Sequence, residues 1–81
     1  MICKVPLVLT PQPEGGYTVT SPLLPELVTE GDTPEEVLAN VRDAVEAVVE
    51  AYQELGRPLP PGVVQDDPSA PILLETVVSV P

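Results

Sequence analysis

The groups in this chain that could do chemistry are thirteen carboxylates, one thiol and two phenols, with three cationic side chains and no histidine. Carboxylates work as general acids and bases when two of them share a dry cleft, and they hold calcium or magnesium when several oxygens converge. Here they are scattered along the chain. Asp66 and Asp67 are adjacent but have no further ligands near them in sequence, so neither a metal nor any other cofactor is expected. No glycine-rich phosphate loop occurs, and no serine or cysteine nucleophile stands beside a base. Cys3 lies in an apolar run and reads as a buried, inert thiol rather than a nucleophile. As the only cysteine it excludes an internal disulfide and fits a reducing compartment. The residues point to a protein that binds and does not catalyse.

What it binds is constrained by charge. The formal charge is -10, and phosphate recognition needs clustered Lys and Arg, so nucleic acid is not a direct partner. The balance suits a basic protein reached by electrostatic steering, although acidic surfaces also simply keep small proteins soluble. No run approaches a membrane span and no signal-like segment begins the sequence, so a cytoplasmic protein is expected.

The elements that must position these groups are few. Residues 1–81 read as a single domain without repeats, and a chain of this size buries only roughly 60% of its unfolded surface, which favours self-association. Without Phe or Trp, the core must come from Val, Leu, Ile and Ala in a two-layer packing. Ile2 to Thr10 alternates as a strand, with Cys3, Val5, Leu7 and Leu9 on one side and Lys4, Pro6, Val8 and Thr10 on the other. Pro6 cannot donate to a ladder and marks an edge or a bulge. Pro11 to Gly16 is a hairpin loop in which Gly15 and Gly16 supply positive φ. Tyr17 to Thr20 is a second strand, with Tyr17 and Val19 facing in and the threonines out. A proline-marked bend leads to a short third strand, Glu26 to Glu30.

Gly31 then turns the chain into one long helix, Pro34 to about Leu55. Thr33 and Glu36 form a capping box, Pro34 takes the first helical position, and Gly56 ends the helix with Pro58 behind it. Val37, Leu38, Val41, Ala44, Val45, Val48, Val49, Tyr52 and Leu55 form its apolar stripe. The acids Glu36, Asp43, Glu46, Glu50 and Glu54 line the other face, with Arg42–Glu46 as the obvious ion pair. Residues 57–71 are a proline-rich connector whose P-x-x-P spacing reads as a rigid spacer. The twelve prolines avoid the helix body, a loop-stiffening pattern often met in thermophile proteins. Ile72 to Val80 reads as a last strand, with Ile72, Leu74, Thr76, Val78 and Val80 inward and Leu73, Glu75, Val77 and Ser79 outward. Val8, Leu73 and Val77 on the outer face are candidates for an interface between copies, in a dimer or a tetramer.

A family resemblance follows from Val8-Leu-Thr-Pro11, Glu14-Gly-Gly-Tyr-Thr-Val19, Pro22-Leu-Leu-Pro25, Val28-Thr-Glu-Gly-Asp-Thr33 and Glu35-Glu-Val-Leu-Ala-Asn40. In that order these motifs resemble the HicB-like antitoxins of bacterial toxin–antitoxin pairs, over residues 2–58 and again at 72–80. The resemblance implies an α+β, two-layer β-β-β-α-β domain, likened to a partial ribonuclease H fold. Its mixed sheet would have the order 3-2-1-4, with the last strand parallel to the first and the helix on one face. It also implies neutralisation of a small, basic, RNA-cleaving toxin of the HicA type. Members that repress their own operon carry a DNA-binding segment after this domain. The sequence stops at Pro81, so that property is not carried over and a short, stand-alone form is expected. Glu14, Glu26, Glu30 and Asp32, on loops around the third strand, are the candidate toxin-binding residues. The competing reading is an oligomeric structural or small-ligand-binding protein with no toxin partner.

Overall fold

A computed structural model describes all residues, Met1–Pro81. Three strands, β1 (Val8–Pro11), β2 (Tyr17–Thr20) and β3 (Val28–Gly31), precede a single helix, α1 (Pro34–Glu54). The strands pair antiparallel in the order β1-β2-β3. Gly15 and Gly16 both hold positive φ, at 101° and 76°, and the β1–β2 hairpin closes with the Gln12 N–H donating to the Gly16 carbonyl at 3.0 Å. The cross-strand register places Val8 beside Thr20 and Thr20 beside Val28, and it places Tyr17 beside Gly31.

The helix begins where its capping residues put it. The Glu36 N–H donates to Thr33 Oγ1 at 3.1 Å, Pro34 occupies the first turn, and Glu35 and Glu36 face the positive end of the dipole. At the far end Leu55 is the last capping residue and Gly56 follows with φ 65°, the left-handed conformation that ends many helices. Arg42 reaches Glu46 at 3.6 Å on the solvent side.

The helix covers one face of the sheet, and two apolar clusters join the layers. Val19, Val37 and Val41 pack with Leu7, Leu9, Tyr17 and Val45. Leu24, Leu27 and Tyr52 pack with Val5, Leu7, Ala44, Val45, Val48 and Leu59. Close approach of the layers depends on Gly31. A Cβ there would lie 2.7 Å from the Val37 nitrogen and 2.9 Å from Val37 Cγ2. Asn40 Nδ2 completes the junction by donating to the Glu30 carbonyl at 2.7 Å.

Several expectations need correction. Ile72 to Val80 is not a strand: it joins no ladder, and every residue from Pro71 to Pro81 is exposed. The sheet is consequently antiparallel and three-stranded rather than a mixed sheet of order 3-2-1-4. Pairing needs an aligned backbone edge, which side-chain alternation alone does not supply. The third strand is Val28–Gly31, displaced from Glu26 to Glu30, because Leu24 and Leu27 are drawn into the core by a turn with the Leu27 N–H on the Leu24 carbonyl at 2.9 Å. Leu38 and Leu55 leave the helix stripe, at 41% and 69% exposure: Leu38 lies one position round from the buried Val37, at the flank of the arc that meets the sheet, and Leu55 is the capping residue beyond the last helical turn. Thr18 is half-buried rather than fully outward.

The connector also does more than space. Val63 is fully buried, and the Cys3–Val64 bridge is made by the Lys4 N–H on the Val63 carbonyl at 2.7 Å and the Gln65 N–H on the Ile2 carbonyl at 2.9 Å. This bridge explains how Pro6 is tolerated. Ile2 and Lys4 bond to the connector, and Gln12 bonds across the hairpin, so the even-numbered residues turn their polar groups to one side of the strand. Pro6 falls between the two paired stretches, where its missing N–H breaks no bond.

Candidate functional site

The site grows from the junction of the β1–β2 hairpin with the β3–α1 turn. Pairing of Tyr17 with Gly31 sets Glu14–Gly16 beside Glu30–Asp32. The approach is tight, since a Cβ on Gly16 would meet Asp32 Oδ1 and the Gly31 carbonyl, each at 3.1 Å. An open depression of about 410 Å³ results, lined among others by Glu14, Glu30, Asp32, Glu36 and Asn40. Four carboxylates and no cation face it. The helix N-terminus offsets part of their repulsion through its dipole. Such a surface can attract a positively charged protein face. Among these groups no metal-binding cluster of carboxylate, cysteine or histidine ligands forms.

The structure brings together three of the four residues expected to act jointly: Glu14, Glu30 and Asp32. Glu26 is elsewhere. It lies at the other end of the helix, where Glu26 Oε1 accepts from the Tyr52 hydroxyl at 2.6 Å. That bond, followed by a backbone hydrogen bond, holds the Glu26 carboxyl below its ordinary value, and the same bond raises Tyr52. The Arg57 guanidinium stacks 5.3 Å from the Tyr52 ring centroid, within cation–π range. Glu26 is thus committed to an internal pair. Sequence reasoning placed Glu36 on the solvent face of the helix and did not group it with Glu14. Its position in the first turn, directly after the Gly-Asp-Thr turn, was the available signal.

Val8, Leu73 and Val77 are exposed, at 49%, 93% and 45%. Val28, at 64% exposure, joins Val8 on the sheet face away from the helix through the Val8–Thr20–Val28 row. Asp67 is held by a local turn: its Oδ1 accepts from the Ser69 hydroxyl at 2.7 Å and the Ser69 N–H at 2.9 Å, which lowers its pKa. Cys3 is half-buried with a free thiol. No helix is long and apolar enough to cross a membrane.

No protein-family model matches the chain. Comparison with individual proteins is more informative. The chain is similar to "Antitoxin HicB 1" of Photorhabdus laumondii, at 40% identity over 77 residues, covering 93% of this chain and 50% of that protein. It is similar to "Antitoxin HicB" of Escherichia coli K12 at 39% identity over 51 residues, covering 63% of this chain and 37% of that protein. It is also similar to the UPF0150 protein Ta0767 of Thermoplasma acidophilum at 32% identity over 57 residues, covering 70% of this chain and 83% of the relative. The chain spans half or less of the length of the two HicB proteins.

Proposed function

Because the chain belongs to the HicB-like antitoxin family, we propose that it neutralises a small, basic, RNA-cleaving toxin of the HicA type by non-enzymatic protein–protein binding in the cytoplasm. The observation that carries this reading is the convergence of Glu14, Glu30, Asp32 and Glu36 around one open depression without a cation. A cationic face approaching this end of the molecule gains steering from the local acids and from the net charge of -10. Occlusion then blocks the toxin's RNA-cleaving surface, so neither a cofactor nor a catalytic group is required of this chain.

The test is association of the purified chain with a HicA-type toxin, followed by stopped-flow fluorescence over a range of salt concentrations, with RNA cleavage as the second readout. Combined Glu14→Lys, Glu30→Lys and Asp32→Lys substitution slows association on the order of tenfold at low salt and flattens the salt dependence. Glu46→Lys with Glu50→Lys, on the outer helix face, changes both far less. Failure of the native chain to inhibit the toxin overturns the function. Inhibition indifferent to the triple reversal overturns the site alone.

The exposed apolar segment Ile72–Val80 favours a second reading, an oligomeric structural or small-ligand-binding protein that has no toxin partner.

A further inference from the structure

We propose that the groove beside the last turns of α1 is a docking surface for a basic amphipathic helix of a partner protein. It is separate from the acidic depression at the start of the helix, and the inference does not rest on toxin neutralisation.

The floor of the groove is apolar and open. Ala47, Ala51 and Leu55 stand at four-residue steps and so form one ridge along the helix. Ala47 and Ala51 are exposed and Leu55 is 69% exposed, although the neighbouring Val48 and Tyr52 pack toward the sheet. Arg57, held over the Tyr52 ring, and Glu26, bonded to the Tyr52 hydroxyl, form the far wall. The groove encloses about 240 Å³, below the roughly 300–1,000 Å³ of small-molecule pockets. That size suits an apolar side-chain anchor presented by another chain. Alanine on the floor lets a second helix approach closely, since the distance between packed helices follows side-chain size.

Charge selects the occupant. Asp43, Glu50 and Glu54 are exposed and lie within about 60° of Ala47 around the helix axis. Their placement runs against helix physics. Glu50 and Glu54 stand near the negative end of the dipole, and the last turn carries no basic residue. Glu46, Glu50 and Glu54 also repel at successive four-residue steps, and only Glu46 is paired, with Arg42. Local rules broken beside an exposed apolar ridge mark a place where function sets the sequence. A helix bearing lysine or arginine relieves this repulsion while its apolar face fills the groove, which is helix-in-groove recognition.

Two other occupants fail on the same ground. A second copy packed helix to helix sets Asp43, Glu50 and Glu54 against their own equivalents. The chain's own Ile72–Val80 segment carries Glu75 and no cation. Its hydrogen bond to the body, from the Ser79 N–H to Glu35 Oε1 at 3.2 Å, lies at the opposite end of the helix.

The test uses the full, isotope-labelled chain and a synthetic peptide of roughly 18 residues, long enough to form a helix, with leucines on one face and lysines on the other. One control scatters the same leucines around the helix, and a second replaces lysine with glutamate. NMR titration is expected to shift the amides of Ala47, Ala51, Leu55 and Arg57, with affinity on the order of tenfold above either control. Ala47→Gln with Ala51→Gln, which fills the floor without changing charge, weakens binding on the order of tenfold. Glu54→Lys weakens it similarly while raising the thermal midpoint, because the same charge opposes the free helix. Glu14→Lys with Asp32→Lys, more than a Debye length of about 8 Å away, changes affinity by no more than about twofold at physiological salt. Equal affinity for the amphipathic peptide and either control overturns the proposal. So do shifts centred on the acidic depression or the outer sheet face. A dimer by light scattering that the paired glutamine substitutions dissolve also overturns it, since a second copy then covers the groove.

Discussion

The Tyr52 hydroxyl donates to Glu26 Oε1 at 2.6 Å, tying the last helical turn to the loop that leads into β3. One exposed acid expected to meet a partner thereby also holds the fold, and the bond is expected to make stability depend on pH at both extremes.

Glu26 is held below its ordinary value of 4.5 by the Tyr52 hydroxyl, and Tyr52 is raised above 10.0 by Glu26. A depressed carboxyl contributes stability that is fully present above 4.5 and disappears as pH falls through the lower, folded value. A raised phenol contributes stability that is fully present below 10.0 and disappears as pH rises through the higher, folded value. Tyr52→Phe is therefore expected to lower the thermal midpoint at neutral pH. The difference from the native chain narrows in acid and again in strong alkali. Thermal melts across pH measure this, and a pH-independent difference contradicts the assignment.

Gly31→Ala places a methyl group 2.7 Å from the Val37 backbone nitrogen. The helix must lift from β3, at a penalty of about 2 kcal/mol. Because the nearest atom belongs to the backbone, adding Val37→Ala does not restore stability. Urea unfolding of the single and double variants measures both effects. Full rescue by Val37→Ala would show that the Val37 side chain, rather than the close approach of the two backbones, sets the requirement for glycine.

Val63 is fully buried although it stands in the connector. Val63→Ala is expected to destabilise the fold by roughly 2 kcal/mol, as for a core valine. A passive spacer residue would change stability by no more than about 0.5 kcal/mol. Chemical denaturation distinguishes the two.

The helix and its caps were legible because their causes are local. Thr33, Pro34, Glu36 and Gly56 act within one turn of themselves, and the helix begins and ends where they stand. Alternation in Cys3, Val5, Leu7 and Leu9 was equally readable: each is half-buried while Lys4, Pro6, Val8 and Thr10 are exposed. The partial grouping of the acids had the same origin, since the Gly15–Gly16 turn and the β3 end at Gly31 mark the two sides of the depression. Glu26 stands on the loop before β3, as expected, but its bond to Tyr52, 26 positions away, was not legible. Nothing local announces such a bond.

The opposite holds for the segment that alternates as clearly as β1 and yet forms no strand within the chain. Its sequence determines that it suits a sheet, because β-branched and aliphatic side chains alternate along it. Only the tertiary structure decides whether an edge is within reach. Strand pairing is a relation between two backbones, and the turn at Asp67–Ala70 and the Cys3–Val64 bridge set where those backbones stand. By itself the sequence determined the capped helix, the hairpin and the acidic surface, all of which arise from neighbouring residues. Packing decided which acids share one depression and left Ile72–Val80 unpaired, because both outcomes depend on contacts between distant parts of the chain.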